Sequence, residues 1–487
     1  LLNLNNWNKR VNNMEDLLQY AIRYARDKGA SYAEARYQED TKEVSLLKNG
    51  VPEITGLQIR KGMAIRVIVN GALAFSSINK LTKGDIRKAV LDAINSAKAA
   101  SRKIKNPILL SEEKVFEDKV ILKPRIKFES IDPEDRMLFL KEIDNEMVKT
   151  VETKGAKLPS RFLNLILMDT IKNVITSDGA NIFSHIPRVF LEAFLTVFNQ
   201  QKGVLQRFKE VGEANGWEAV ERWNLIEKFN EEVSILVKSL LEAKEAPKGT
   251  MDVVLGPEIV GLVCHESSGH PQEADRILGR EAAQAGETYL KPKDIGLKVG
   301  SEYVTIIDDP TLPNSYGFYL YDDEGVKARP RVLIDKGVIN EFLQNRETAK
   351  VFNTNSNAAS RAVAYDREPI VRMANTYMKP GDYSFEELIE DIKNGIYMKF
   401  FQEWNIDDRR FNQKYVGSIA YRIENGELKE MLRNPALEIT TPGLFSAVDA
   451  VGRDLKFTAA ICGKGDPMQG CPVWVGGPHI RLRNVRM

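Results

Sequence analysis

Met14, Leu17, Leu18, Ala21, Ile22 and Ala25 recur three and four positions apart until Gly29 offers a stop. That spacing predicts an amphipathic helix over residues 13–28. Short β-prone runs follow, YAEARYQ, KEVSLL, GMAIRVIV and GALAFSS, set apart by Gly, Asn and Pro. Helical spacing then returns over about residues 85–99. Asp132-Pro133 places a capping oxygen before a proline suited to the first helical position, opening a helix to about Lys154. RFLNLILMD and KNVITSDGANIFSH read as strands with Asp178-Gly179 as a tight hairpin turn, and VFLEAFLTVFNQ fits a strand or a buried helix. One long helix is expected over residues 217–243.

Beyond Met251 the texture changes to short apolar runs punctuated by Gly, Asn and Pro, such as YVTIIDD, GFYLYDDEG, RVLIDKGVINEFL and IAYRIENGELKE. This is the pattern of an antiparallel β domain, with one helix at its start and another near residues 385–394. The expected fold is therefore α+β. It divides into an N-terminal α+β domain over residues 1–105, a middle α+β domain over 106–245, and a large C-terminal β-rich domain over 246–487. A chain of 487 residues exceeds what one core usually organises, which agrees with several domains.

Composition narrows the function classes. With 69 basic against 68 acidic residues, no overall field gathers nucleic acid or an anionic membrane, so neither is an expected partner. No apolar run is long enough to span a bilayer, and no leader pattern is visible at the N-terminus. The three cysteines Cys264, Cys462 and Cys471 are an odd number in a long chain, which argues for reduced thiols free to bind metal and for a cytoplasmic protein.

The stretch GPEIVGLVCHESSGH concentrates the chemistry. Pro257 suits a first helical position, and Ile259, Val260, Leu262 and Val263 give the helix an apolar side, placing His265, Glu266 and His270 at or just past its end. Side chains five apart on a regular helix point roughly 140° away from each other, against roughly 40° for a spacing of four. Two imidazoles here meet at one ion only if a π-bulge absorbs a residue or the helix ends at Ser268-Gly269 and curls. Two of the four histidines in the chain fall here beside a glutamate. They fit a Zn²⁺ site with a third protein ligand and one position left for water, Glu266 acting as general base. Spacing alone leaves the third ligand open among Glu273, Cys462 and Cys471.

The stretches CHESSGHPQEAD, IIDDPTLPNSYGFYLYDDEGVKARPRVLIDKGVI, RMANTYMKPG, NGIY at residues 394–397 and CGKGDPMQGCPVWVGGP resemble, in order and separation, the TldD branch of the TldD/PmbA family. The likeness is close over about residues 250–487 and looser before. It implies a zinc metallopeptidase, with His265, His270 and Cys462 as ligands and Glu266 as general base for zinc-bound water. It also implies an enclosed chamber that admits extended or unfolded peptides, and either a homodimer or a heterodimer with a PmbA/TldE-type paralogue. An older naming of the family is modulator of DNA gyrase. Cys471 departs from the family pattern, as do residues 400–415, which are glycine-rich there.

Several other residues admit a role at the site. Arg372 and Asn375 have donors suited to holding a peptide backbone or an oxyanion. The acidic turns at Asp308-Asp309 and Asp322-Asp323-Glu324 read as solvated turns or caps, with a second metal as the sharper alternative. Tyr316, Tyr319 and Tyr321 alternate at strand spacing, and His479 reads as structural. A rival reading from another class is a non-catalytic interaction protein, whose zinc site is closed by Cys471 or His479 as a fourth protein ligand.

Overall fold

A computed structural model gives the fold and describes residues 4–281 and 286–487. Its first sheet has seven strands, in the order Ala72–Ile78, Val51–Val69, Tyr32–Lys48, Lys157–Thr176, Asn181–Asn199 and Glu117–Ile121, with Gly203–Glu213 also paired to Asn181–Asn199. YAEARYQ and KEVSLL merge into the single strand Tyr32–Lys48. Residues 34–48 find ladder partners on both sides, so the polar stretch Glu39–Lys42 stays extended despite its composition. VFLEAFLTVFNQ resolves as strand, within Asn181–Asn199.

One end of this sheet is covered by the helices Leu4–Asp27 and Lys83–Ser101, whose Leu18, Ala21, Ile86, Val90 and Ile94 are buried against Ile65 and Val67. The other end is covered by Pro133–Thr153 and Leu225–Glu242, which bury Leu140, Ile143, Val233 and Leu236 against Leu163, Leu165 and Leu167. The first sheet runs continuously across residue 105, because Tyr32–Lys48 pairs directly with Lys157–Thr176. The long helix expected over residues 217–243 is two helices, Glu218–Trp223 and Leu225–Glu242. Asn224 breaks it by adopting a left-handed conformation at φ 49°, which asparagine tolerates better than most residues.

The C-terminal part holds two larger sheets. The six-stranded one runs Val338–Ile339, Arg331–Asp335, Ile306–Asp308, Asn375–Met378, Gln469–Gly477, Lys456–Lys464. The eight-stranded one is built around Thr250–Leu255, Asn394–Ile406 and Asn412–Glu424. Most pairs are antiparallel as expected. Three are parallel, because strands distant in sequence meet there: Asn375–Met378 with Gln469–Gly477, Thr250–Leu255 with Asn394–Ile406, and Lys244–Glu245 with Glu427–Arg433. The helix Pro257–Cys264 lies between the two sheets, against Gln469–Gly477 on one side and Asn394–Ile406 on the other. A methyl group on Gly261 would meet the backbone of Val475 and Gly476 at 2.9 Å, so the absent side chain lets helix and strand close up.

The acidic turns are buried rather than solvated, and Asp309 and Asp322 cap their own turns by accepting from the N–H groups of Thr311 and of Glu324 and Val326. Asp308 is paired with Arg331, both fully buried. Lys172 donates to both oxygens of Asp323 at 3.0 Å, and Arg66 bridges Glu34 and Glu324. Asp323 and Glu324 thus spend their charge joining the first sheet to the C-terminal part, while Asp308 is paired within the latter. Tyr316, Tyr319 and Tyr321 lie in irregular backbone; Tyr316 and Tyr319 are buried as packing groups. No helix among the described residues is long and apolar enough to cross a membrane.

Candidate metal centre

The helix Pro257–Cys264 continues into a π-helical turn, His265–Gly269, and then a 3₁₀ turn, His270–Gln272. The backbone N–H of His270 bonds to the carbonyl of His265, the five-residue reach of a π-turn. The extra residue is absorbed in the turn, and the two imidazoles come edge to face with ring centroids 4.8 Å apart. Of the two ways to bring the histidines together, the bulge is the one used. Gly269 is required by close approach, since a Cβ there would lie 1.8 Å from the sulfur of Met373.

Cys462 reaches the same point from the strand Lys456–Lys464. Its Sγ lies 3.2 Å from Nε2 of His270, and ligand atoms of His265, His270 and Cys462 all lie within 4.8 Å of one another, every residue buried. Nδ1 of His265 is buried with no hydrogen-bond partner. Two imidazoles and a thiol with a spare buried nitrogen are a donor set that Zn²⁺ fits. Burial opposes ionisation of Cys462, but His270 and Arg372 outweigh it and bring the thiol down to about 7. Burial lowers the pKa of His265, favouring the neutral imidazole that a metal requires.

Glu273, one of the open choices for third ligand, stands behind His270 instead. Its Oε2 lies 3.0 Å from Nδ1 of His270, accepts from Nε of Arg276 at 2.6 Å, and is 3.2 Å from Nζ of Lys464. Burial pushes this carboxyl up, yet Lys464, His270 and Arg276 prevail and hold it well below the usual carboxylate range. A carboxylate on the far nitrogen fixes the tautomer and the ring plane of His270. Lys464, two residues after Cys462, also donates to Asp275 at 2.6 and 2.8 Å, and so ties the cysteine strand to the histidine turn.

Glu266 is buried next to His265, and Arg410 Nη1 donates to its Oε2. Burial raises the pKa of Glu266, but Arg410, then His270 and His265, bring it below the ordinary value, so it is ionised. Sequence reasoning missed Arg410, which sits in the loop between Asn394–Ile406 and Asn412–Glu424.

Arg372 and Asn375, expected to hold substrate, are committed inside the fold. Arg372 is fully buried and donates to the carbonyls of Cys462 and of Gln469, clamping the hairpin that bears the cysteine. Asn375 donates to Asp309 O and Ser315 Oγ, and accepts from the N–H groups of Gly317 and Trp474. Cys471 faces Cys462 across that hairpin but is not part of the ligand cluster. His479 is bonded to Tyr397 and Asp454, and His185 to Asp169, so neither reaches the centre. Cys264, the last residue of the helix Pro257–Cys264, is buried in the apolar core. Neither residue proposed to close a structural site is therefore in place to do so.

Fold and centre together define a metallopeptidase architecture. The chain belongs to the PmbA/TldD family: residues 33–100 match PmbA/TldA metallopeptidase domain 1, and residues 248–487 match the PmbA/TldA metallopeptidase C-terminal domain. It is 31% identical over 454 residues to a metalloprotease of Methanocaldococcus jannaschii, covering 92% of this chain and 95% of that one. It is 29% identical to a zinc metalloprotease TldD homolog of Saccharolobus solfataricus, covering 96% and 98%. In fold it is similar to the crystal structure of TldE from Thermococcus kodakarensis, at TM-score 0.71 and 18% identity over 96% and 99% of the two chains.

Proposed function

We propose that this protein is a zinc-dependent peptidase in which His265, His270 and Cys462 hold the ion and Glu266 is the general base. The carrying observation is the buried convergence of the three donors on one point beside an ionised carboxylate. Zinc, when bound there, would polarise the scissile carbonyl and acidify water. The chain's own residues do the rest. Glu266 takes a proton from the attacking water and returns it to the leaving amine. Glu273 fixes the plane of His270, and Arg372 and Lys464 hold Cys462 in reach of both imidazoles.

The substrates are extended or unfolded peptides admitted to an enclosed chamber, a reading supported by the burial of every donor at the centre. The working unit is a dimer, either of this chain or with a TldE-type paralogue, and the fold shared with TldE supports the pairing. The free state of all three cysteines suits a cytoplasmic setting. The test is Glu266→Gln in zinc-loaded protein. Retained zinc with peptide cleavage abolished supports the assignment, and cleavage at the full rate contradicts it.

A further inference from the structure

With both terminal nitrogens of Arg372 clamping the carbonyls of Gln469 and Cys462, and Asn375 bonded within the fold, the centre still needs a donor for the charge that develops on the scissile carbonyl oxygen. The structure assigns that role to Arg410, an assignment that rests on the peptidase reading above.

The observations concern one loop. Arg410 is buried, its backbone is left-handed at φ 58°, and the guanidinium meets Glu266. A non-glycine residue in that backbone region is strained and persists only where its surroundings hold it. Here they do. The N–H of Arg410 bonds to Asp407 O at 2.9 Å, and Asp407 accepts from the N–H of Phe411 at 2.8 Å and from Asn412 Nδ2 at 2.7 Å. The hydroxyl of Thr441 donates to Arg410 O at 2.8 Å. Thr441 also accepts from Gln413, which in turn accepts from Ser267 at 2.7 Å, the residue after Glu266. One buried polar network therefore fixes both ends of the Glu266–Arg410 pair.

The guanidinium is not exhausted by that pair. Nη1 serves Glu266 Oε2, while Nε is buried with no acceptor. Nε groups of several other buried arginines, Arg372 among them, also lack an acceptor, so what singles out Arg410 is its place: its guanidinium is held against the general base with Nε left over for an acceptor that arrives with the substrate. The reaction supplies one. As the water oxygen bonds to the carbonyl carbon, its proton passes to Glu266 and the carbonyl π pair moves onto oxygen. The C–N bond then breaks as the proton passes to nitrogen. Water adds at a point Glu266 can reach, so a donor held on Glu266 would be near the oxygen where the negative charge collects. A donor fixed in advance costs no reorganisation at that moment.

The experiment compares wild-type, Arg410→Ala and Arg410→Lys full-length protein, zinc-loaded, on an internally quenched peptide with an amidated C-terminus. Calorimetry of a phosphinic peptide gives a readout besides turnover. The expected result for Arg410→Ala is a fall in kcat of about 10²–10³-fold, the usual loss of one oxyanion donor. KM should hold within a few-fold, zinc should remain at one per chain, affinity for the phosphinic peptide should drop by a similar factor, and millimolar guanidinium should partly restore turnover. If Arg410→Ala does not fold, Arg410→Lys keeps a cation for Glu266 but lacks Nε, and it must still lose kcat. Unchanged kcat and unchanged phosphinic-peptide affinity overturn the assignment. So does a loss seen only in KM and only with free C-terminal carboxylates, which would make Arg410 a reader of chain ends. A wild-type protein that holds zinc and cuts nothing counts against the peptidase reading, and the phosphinic-peptide comparison then judges Arg410 alone.

Discussion

Gly269 and Met373 are in such close contact that a β-carbon on the glycine would lie 1.8 Å from the methionine sulfur. The contact leaves no room for a side chain in the π-turn that brings His265 and His270 together. We expect Gly269→Ala to destabilise the fold by about 1–3 kcal/mol, as overpacking does, and to weaken zinc binding with it. Trimming the clash in Gly269→Ala/Met373→Ala should recover zinc binding. Urea denaturation and metal titration of the two variants check this.

Glu273 is expected to act on the metal only through His270. Glu273→Gln should lower zinc affinity about 10–100-fold while the fold persists, the usual result of removing a carboxylate behind a ligating histidine. Competition with a chelator of known affinity measures it. An unchanged affinity would show that His270 needs no such partner.

The buried pair of Asp308 and Arg331 gives a stability prediction away from the centre. Removing only the acid strands a desolvated guanidinium, so Asp308→Ala should cost about 3–5 kcal/mol. Replacing both partners in Asp308→Ala/Arg331→Met should cost less than the single change. Chemical denaturation of the two proteins decides the order.

Glu210 predicts a pH dependence. It lies opposite Glu192 on the neighbouring strand, and burial, followed by Glu192 and Glu258, raises its carboxyl to about 8. Between the ordinary carboxylate range and about 8 the folded protein holds a proton that the unfolded chain releases, so this contribution to stability is full at low pH and lost as pH rises through that window. Glu210→Gln should remove that part of the slope and raise the melting temperature at about pH 9 relative to the parent, with little change at about pH 5. Melting curves at the two values test it.

How much of this was legible in the chain differed by element. The five-residue spacing of His265 and His270, with glycine just before the second, already required a bulge or a curl, because helix geometry allows little else. Cys462 stood in a short C-terminal run with Cys471 and His479, and spacing left the choice open until the family pattern decided it. The support around the centre was not legible. Glu273 is held by Lys464, which lies 191 positions along the sequence, and Arg410 sits in a loop with no periodicity and a strained backbone. The acidic turn Asp322-Asp323-Glu324 looked solvated because its partners, Arg66 and Lys172, belong to a sheet built from the other end of the chain. Arg372 and Asn375 had the right donors for substrate, but their neighbours in the fold had already taken them.

The central claim is that two imidazoles and one thiolate from this chain hold a zinc ion. X-ray absorption at the zinc edge, on protein brought to one zinc per chain, tests it most directly. The account predicts one sulfur at about 2.3 Å and nitrogen or oxygen donors at about 2.0–2.1 Å, with the sulfur contribution lost in Cys462→Ser. A spectrum with no sulfur, or with a sulfur that survives Cys462→Ser, would contradict it.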